Sequence, residues 1–531
     1  MDRPSDHELL QTAGAIPHSV VTEFALLYLE LARALLGISE RDLPVKDARF
    51  ADPVWQDNPM YRRLAQSYLA FCESVDRIAG DNPQWRDRER ARFLGGVLTS
   101  ALAPTNTLLG NPAALKRAAE TGGLSLVSGM RNMVGDAIAN NGLPSQVDGS
   151  KFKVGENLAA TPGVVVFRNE MLELIQYQPT TPDVTQRPTL LVSPPIGKYY
   201  FMDLAPGRSF IEYAVSRGIP MFATSWRNPI AEHGHWGLDD YVRSLLEAVD
   251  AVCEVAESDK LNLLGICAGG ILSTLMLNVM ASRGDKRAGA AAFAVMMLDL
   301  GSESPIGGFN AAPILSMARQ SSASQGILPA SSLASVFAWM RPNDLVWNYW
   351  SNNYLMGKDP PAFDILAWSV DGTNLPAKLH EQFIEIFESN SLSTAGRMRV
   401  LDVPIDSKRI NIDTFATGAL TDHLTPWKAC YRATQMFGGR STFVLSNAGH
   451  IASLVNPPGN AKATYWAGPK PGADPDQWLE SATKCQGTWW DVWAEWSLKR
   501  SGKTRPASKA LGSVKFPASA AAPGGYVHDK A

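Results

Sequence analysis

At 531 residues, with 45% hydrophobic and 19% charged side chains, the chain is long enough for two or three domains and a large buried core. A net charge of −3 excludes a protein that binds nucleic acid by displacing counterions. Five cysteines (Cys72, Cys253, Cys267, Cys430 and Cys485) are odd in number and widely spaced, with no CxxC and no metal-ligand spacing, which fits a reducing compartment rather than a disulfide framework.

The opening MDRPSDHELL carries no apolar run of the kind a signal peptide needs, so the expectation is an intracellular, cytoplasmic protein. Residues 1–155 read as an N-terminal, mainly helical domain. Val20, Val21, Phe24, Leu27, Tyr28, Leu31 and Leu35 recur at three and four, the spacing of one helix face. RFADP, NPMYRR and APTN punctuate the helical segments that follow.

From about Val164 the pattern changes. Short β-rich runs at 164–167, 172–177, 189–192, 221–225, 261–264, 292–298, 410–417 and 442–445 alternate with helical patterns such as 210–216, 238–256 and 426–436. That alternation predicts an α/β domain over 156–531, with a mostly parallel central sheet covered on both faces. A stretch rich in Trp, Asn and Pro at about 305–392 interrupts it and reads as a cap inserted over a site. The last residues, about 502–531, are rich in Ala, Pro, Gly and Ser and read as an extended, meandering or mobile tail. Residues 261–282 carry no charge and are long enough to span a bilayer. Three glycines, two asparagines, two serines and a threonine dilute them, so a strand plus a buried helix, and no transmembrane segment, is expected.

The chemistry centres on Gly265-Ile266-Cys267-Ala268-Gly269, between the apolar run 261–264 and a helical pattern. This is the G-x-nucleophile-x-G pattern of a nucleophile elbow, with sulfur in place of oxygen. Such an elbow sets Cys267 at a helix N-terminus, whose positive end favours a thiolate. The alternative is a glycine-bounded cysteine buried in a core strand.

If Cys267 is the nucleophile, an acid and then a histidine should follow, each beyond a strand, and Asp422 and His450 stand at those places. His450 would move the thiol proton, and Asp422 would orient the imidazole and stabilise its cation. Backbone N–H groups of Ala268 and, in the loop after 189–192, of Ile196 would form the oxyanion hole. His423 beside Asp422 suits a site-lining role. Asp402, Asp406 and Asp413 compete for the acid, but only Asp422 follows its strand by a short loop. His233 and His235 form an H-x-H with no acid or cysteine cluster to complete a metal site, so no metal is expected.

Long stretches of the chain resemble the polyhydroxyalkanoate synthases: RFADPVWQDNPMYRR (49–63), ALAPTNTLLGNP (101–112), FKVGENLAATPGVVVFRNEMLELIQY (152–177), SWRNP (225–229), GICAGG (265–270), MRPNDLVWNYWSNNYLMGK (340–358), TDHLTPW (421–427) and GHIASLVNPPGN (449–460). GICAGG and WNYWSNNYL are most similar to the class II, medium-chain-length branch. The resemblance implies an α/β-hydrolase fold and a polymerising acyltransferase that takes (R)-3-hydroxyacyl-CoA, with no separate cofactor. By that analogy Cys267 attacks the thioester, releases CoA and holds the acyl group or growing chain. The 3-hydroxyl of a bound unit then attacks the next acyl-thioester, with His450 assisting. Asp422 either orients the histidine or activates the hydroxyl.

A homodimer and association with the growing polyester chain and the storage-granule surface are implied in the same way. Two departures concern the site. Ser193-Pro194-Pro195-Ile196-Gly197-Lys198 stands where the family usually resembles PP-x-I-N-K, so Ser193 replaces a proline and Gly197 the asparagine. Ala452 resembles the short-chain class, and Leu300 stands where class II often has a small hydroxyl residue; with His423 these are the acyl-pocket candidates. The rival readings are an intracellular ester or thioester hydrolase, including a polymer depolymerase, on the same fold, and an inactive granule-binding protein.

Overall fold

The computed structural model describes residues 18–44, 47–140, 142–301 and 303–531, without the side chains of 18–21. The stretch MDRPSDHELL and the side chains of Val20 and Val21 lie outside the described residues. The chain divides into two compact units, one running to Gln146 and joined by Val336–Pro361, the other comprising Val147–Ser335 and Ala362–Ala531.

The first unit is helical: α1 (His18–Leu36), α2 (Pro59–Gly80), α3 (Trp85–Ala101), α4 (Pro112–Glu120) and α5 (Leu124–Ala139). Two of its Asn-Pro dipeptides start helices. Asn58 accepts from the Met60 N–H at 2.9 Å and Asn111 from the Ala114 N–H at 3.0 Å, each with proline in the first turn, where no N–H is required. Phe50, Trp55, Tyr61 and Tyr68 pack edge-on or tilted at its centre. Residues 336–361, which fall inside the segment read as a cap, find their partners in this unit. Trp350 Nε1 donates to the Asn106 carbonyl at 3.0 Å, and the Tyr354 hydroxyl donates to Asp136 at 2.8 Å.

The second unit is built on an eleven-stranded sheet. In chain order its strands are β1 (Gly163–Arg168), β2 (Leu172–Tyr177), β3 (Thr189–Val192), β4 (Met221–Trp226), β5 (Leu261–Ile266), β6 (Ala288–Ala294), β7 (Asp413–Ala419), β8 (Ser441–Ser446), β9 (Thr464–Ala467), β10 (Thr483–Gln486) and β11 (Ala520–Ala521). Across the sheet they run β10-β9-β8-β7-β6-β5-β3-β4-β2-β1-β11. From β4 to β8 neighbours are parallel; the outer pairs on both sides are antiparallel.

The central strands are buried on both faces, which is why TLLV and LNLLGI read as continuous apolar runs. Leu190 and Val192 enter one core with α7 (Leu238–Val255), α8 (Ala268–Ser282) and α9 (Trp427–Met436). Leu191 enters the other, with residues of α6 (Phe210–Ser216) and α11 (Trp489–Leu498). Among the described residues no helix is long and apolar enough to cross a membrane.

β6 lies four residues upstream of its expected start. Alanine is a poor strand former in isolation, but AGAAAFA is held between β5 and β7 at the sheet centre, and Val295, at φ 46°, turns the chain away after it. The Ala-, Pro- and Gly-rich end meanders along the sheet unit under firm anchors. Thr504–Pro506 pairs with Asp183–Thr185, and β11 pairs with β1.

Candidate active site

The chain passes from β3 out to β4, then returns to β5 on the other side of β3, so strand order reverses beside β3. In open α/β sheets such a reversal leaves a crevice at the carboxyl ends of the strands. The loop after β3 carries Ile196, and the turn after β5 carries Cys267.

Cys267 joins β5 to α8 with φ 49° and ψ −123°, a backbone conformation that costs a side-chain-bearing residue about 1–3 kcal/mol. Two hydrogen bonds brace it: its N–H donates to the Ala294 carbonyl at 2.9 Å, and its carbonyl accepts from Gly270 at 2.9 Å. The flanking glycines are steric requirements. A Cβ on Gly265 would stand 2.7 Å from the Gly270 Cα, and one on Gly269 would stand 2.3 Å from the Val192 carbonyl oxygen. Gly269→Ala is therefore expected to push β3 and α8 apart and destabilise the fold by about 1–3 kcal/mol, the usual range for overpacking. Thermal melting checks it, and an unchanged Tm would mean the turn has slack. As the first residue of α8, Ala268 has an N–H with no acceptor inside the helix.

The β3 loop is pinned where it begins. The Ser193 hydroxyl donates to the Thr224 carbonyl at 2.8 Å, its N–H donates to the Thr224 hydroxyl at 3.1 Å, and its carbonyl accepts from Trp226 Nε1 at 2.8 Å. Ser193, which departs from the family pattern, thus ties this loop to β4. Gly197 bridges antiparallel to Gly372, and a Cβ on it would meet the Trp368 ring at 3.2 Å.

His450 begins α10 (His450–Leu454), directly after the loop from β8, and Asp422 follows β7. His450 Nδ1 and Asp422 Oδ2 lie 2.7 Å apart, and both side chains are buried. Every acceptor position on Asp422 is used. Oδ1 accepts from the Leu424 and Thr425 N–H groups at 2.8 and 2.9 Å, and Oδ2 accepts from the Thr425 hydroxyl at 2.8 Å as well as facing the imidazole. Thr425 also stands 3.1 Å from His450 Nδ1. With Nδ1 so occupied, Nε2 is left for the Cys267 thiol, whose hydrogen bond and charge act on the imidazole.

Burial alone would lower the His450 imidazolium; the hydrogen bond and charge of Asp422, then those of Cys267, outweigh it and push it up to about 10. Burial likewise acts to raise Asp422, but the bonds from His450 and Thr425 hold its carboxyl below the ordinary range. At the far end of α10, the Ser453 and Leu454 carbonyls accept the indole N–H groups of Trp489 and Trp490 at 2.8 and 3.0 Å. Thr425 and this tryptophan pair were not among the residues singled out in the sequence; the motif TDHLTPW holds the threonine, and WW followed by further tryptophans was the signal for the second.

The competitors have other work. Asp413 receives Arg440 and Arg500, Asp406 caps the turn Ser407–Arg409, and Asp402 lies in a tight turn at φ 62°. Burial pushes Cys430 well above its ordinary range and Cys253 up to about 11, which keeps both as thiols. His233 stacks on Trp236 at 4.0 Å, and among the described residues no group of three His, Cys, Asp or Glu stands together as a metal cluster. Of the pocket candidates, His423 adjoins Asp422 and is half-buried, and Ala452 is exposed on α10 with His450. Leu300 is buried, its N–H donating to Asn390 at 2.8 Å.

Residues 46–214 match the family model described as poly-beta-hydroxybutyrate polymerase (PhaC) N-terminus, and residues 205–457 match the alpha/beta hydrolase fold. Poly(3-hydroxyalkanoate) polymerase 1 of Ectopseudomonas oleovorans is 44% identical over 527 residues, which cover 99% of this chain and 94% of that one. Poly(3-hydroxyalkanoate) polymerase 2 of the same organism is 44% identical over 517 residues, 97% of this chain and 92% of its own. The poly(3-hydroxyalkanoate) polymerase subunit PhaC of Cupriavidus necator is 36% identical over 540 residues, 98% of this chain and 88% of its own.

Proposed function

Because the chain belongs to the poly(3-hydroxyalkanoate) polymerase family, we propose that it joins (R)-3-hydroxyacyl-CoA units into polyester, with release of CoA, through a thioester on Cys267. The observation that carries this reading is the buried Asp422–His450 pair beside a cysteine on a strained strand-to-helix turn.

The chemistry then follows from where the proton sits. An imidazole held this basic has already drawn the Cys267 proton when the sulfur attacks the thioester carbonyl. It delivers that proton to the departing CoA sulfur. One C–S bond forms and one breaks, so the exchange is close to isoenergetic. The neutral imidazole next takes the proton of the 3-hydroxyl of a second bound unit as its oxygen attacks the Cys267 thioester. It returns that proton to the Cys267 sulfur when the ester is complete. Each carbonyl attack develops an oxyanion, for which the Ala268 and Ile196 N–H groups are the assigned donors. Asp422, with both oxygens engaged by Leu424, Thr425 and His450, acts on the imidazole rather than on the hydroxyl. The polyester product is water-insoluble and apolar, and we assign the protein to its granule surface, as a homodimer, on the family resemblance.

The test is to supply (R)-3-hydroxybutyryl-CoA and (R)-3-hydroxyoctanoyl-CoA separately, measure CoA release, and weigh the product as polymer or free acid. CoA release with polymer is the expected result, and the ratio between the two thioesters assigns the acyl length. CoA release with free acid alone would replace polymerisation by hydrolysis. No release from either, by folded protein, would leave the granule-binding reading.

A further inference from the structure

Lys198 lies two residues beyond Ile196 and is only 6% exposed. A buried ammonium has three N–H bonds to satisfy, and this one has three acceptors. They are the Val527 carbonyl at 2.7 Å, the Asp529 carbonyl at 2.8 Å and the Asp371 carboxylate at 3.0 Å. Burial draws its pKa below the usual lysine range while Asp371 pulls it back, so the charge persists because of these partners.

The same partners converge from three parts of the sheet unit. Trp368 Nε1 donates to the Lys198 carbonyl at 2.7 Å. Asp371 also receives the Tyr200 hydroxyl at 3.0 Å and the Lys530 ammonium at 3.2 Å. Asn228 donates to the Lys530 carbonyl at 2.6 Å and accepts from the Asn374 N–H at 2.9 Å. The tail reaches this point under control. Glu173, fully buried, accepts from the Gly525 and Tyr526 N–H groups at 2.8 and 2.9 Å, and the Tyr526 hydroxyl donates to the Asn169 carbonyl at 2.7 Å.

We propose that Lys198 is a positioning residue for acyl transfer. By gathering residues 527 and 529 of the tail and Asp371 onto one ammonium, it fixes the far end of the loop that Ser193 fixes at its start, and so aims the Ile196 N–H. The proposal rests on Ile196 being an oxyanion donor. A donor aimed at developing charge acts in the transition state and little in the ground state, so losing its aim lowers the acylation rate and leaves KM almost unchanged.

Three variants test it: Lys198→Met, Lys198→Arg and a chain lacking residues 526–531. Each is titrated with iodoacetamide to count folded, reactive Cys267 sites, then assayed for single-turnover CoA release per site with the preferred thioester. The methionine variant and the shortened chain are each expected to acylate about 10- to 100-fold more slowly, with KM within threefold of wild type. Arginine, which keeps the charge and the donors, is expected to recover to within about fivefold, which also serves if the methionine variant fails to fold. Combining Lys198→Met with the shortened tail is expected to cost no more than the worse of the two, because both remove one interaction. Unchanged acylation per site, or losses that multiply, would overturn the proposal. Ile196→Pro, which deletes the N–H, separates the two levels. If it acylates normally the donor assignment fails; if it is slow while the Lys198 and tail variants are not, the positioning role alone fails.

Discussion

Cys267→Ala is expected to abolish CoA release, a loss of at least about 10⁴-fold, because it removes the sulfur proposed to carry the acyl group. Wild-type protein, quenched after a brief exposure to (R)-3-hydroxyacyl-CoA, should gain the mass of one or more hydroxyacyl units on the peptide containing Cys267. The alanine variant should gain none. Cys267→Ser sharpens the test, since it keeps the turn and changes only the attacking atom. Oxygen is the weaker nucleophile near neutral pH, and the ester it forms gives up its acyl group less readily than a thioester does. Serine is therefore expected to retain under about 1% of CoA release and to yield a lingering adduct with little polymer. Full CoA release by the alanine variant would move the nucleophile elsewhere. Cys430 is poorly placed to inherit the role, because it is fully buried and its thiol donates to the Thr425 carbonyl at 3.4 Å.

Asp422→Asn is expected to slow Cys267 acylation and polymer turnover by the same factor, about 10²-fold or more. The carboxylate faces His450 Nδ1 at 2.7 Å and has its remaining acceptor positions filled, so in the proposed mechanism it serves the imidazole, which takes part in both steps. A loss confined to turnover would show instead that Asp422 acts on the incoming hydroxyl. The same substitution has a signature in stability. The His450 imidazolium is held above its unfolded value of about 6.5, so its contribution is complete below that pH and is lost as pH rises through about 10. The Asp422 carboxylate is held below its unfolded value of about 3.9, so its contribution is present above that pH and is lost as pH falls through the folded value. The Tm gap between wild type and Asp422→Asn should thus be widest near pH 5–6 and narrow towards pH 10. A gap constant across that range would mean the pair is not ionised.

What could be read from sequence was local. The glycine spacing around Cys267 announces a tight turn by itself, and strand, loop and residue follow one another within a few positions for Asp422 and for His450. The boundaries of β2 (Leu172–Tyr177) and β3 (Thr189–Val192) were legible for the same reason, since their apolar runs end at prolines and polar residues. β6 was displaced because its alanines take their conformation from β5 and β7, not from their own preference. β9 and β10 were missed: Thr464–Ala467 is only half-buried, and Thr483–Gln486 is mostly exposed, so neither carries an apolar alternation. The least legible features were those that join distant residues. Nothing near Lys198 points to Val527, 329 positions away, and nothing in WNYWSNNYL says that it will settle among helices more than two hundred residues upstream.

The ends of the sheet bear on how this chain behaves when crowded with copies of itself. An open sheet offers a row of unpaired N–H and C=O groups at each margin, and a neighbouring chain can add a strand there. At one margin β11 covers β1, but it is two residues long and runs into Pro523, which has no N–H to offer a further strand. At the other margin β10 is four residues long and sets Lys484 and other exposed polar side chains toward solvent. Both edges are thus short, and one carries an exposed lysine, which disfavours continued pairing. A protein assigned to the surface of an insoluble product would work at high local concentration. Its sheet is finished in a way that resists growth into aggregates there.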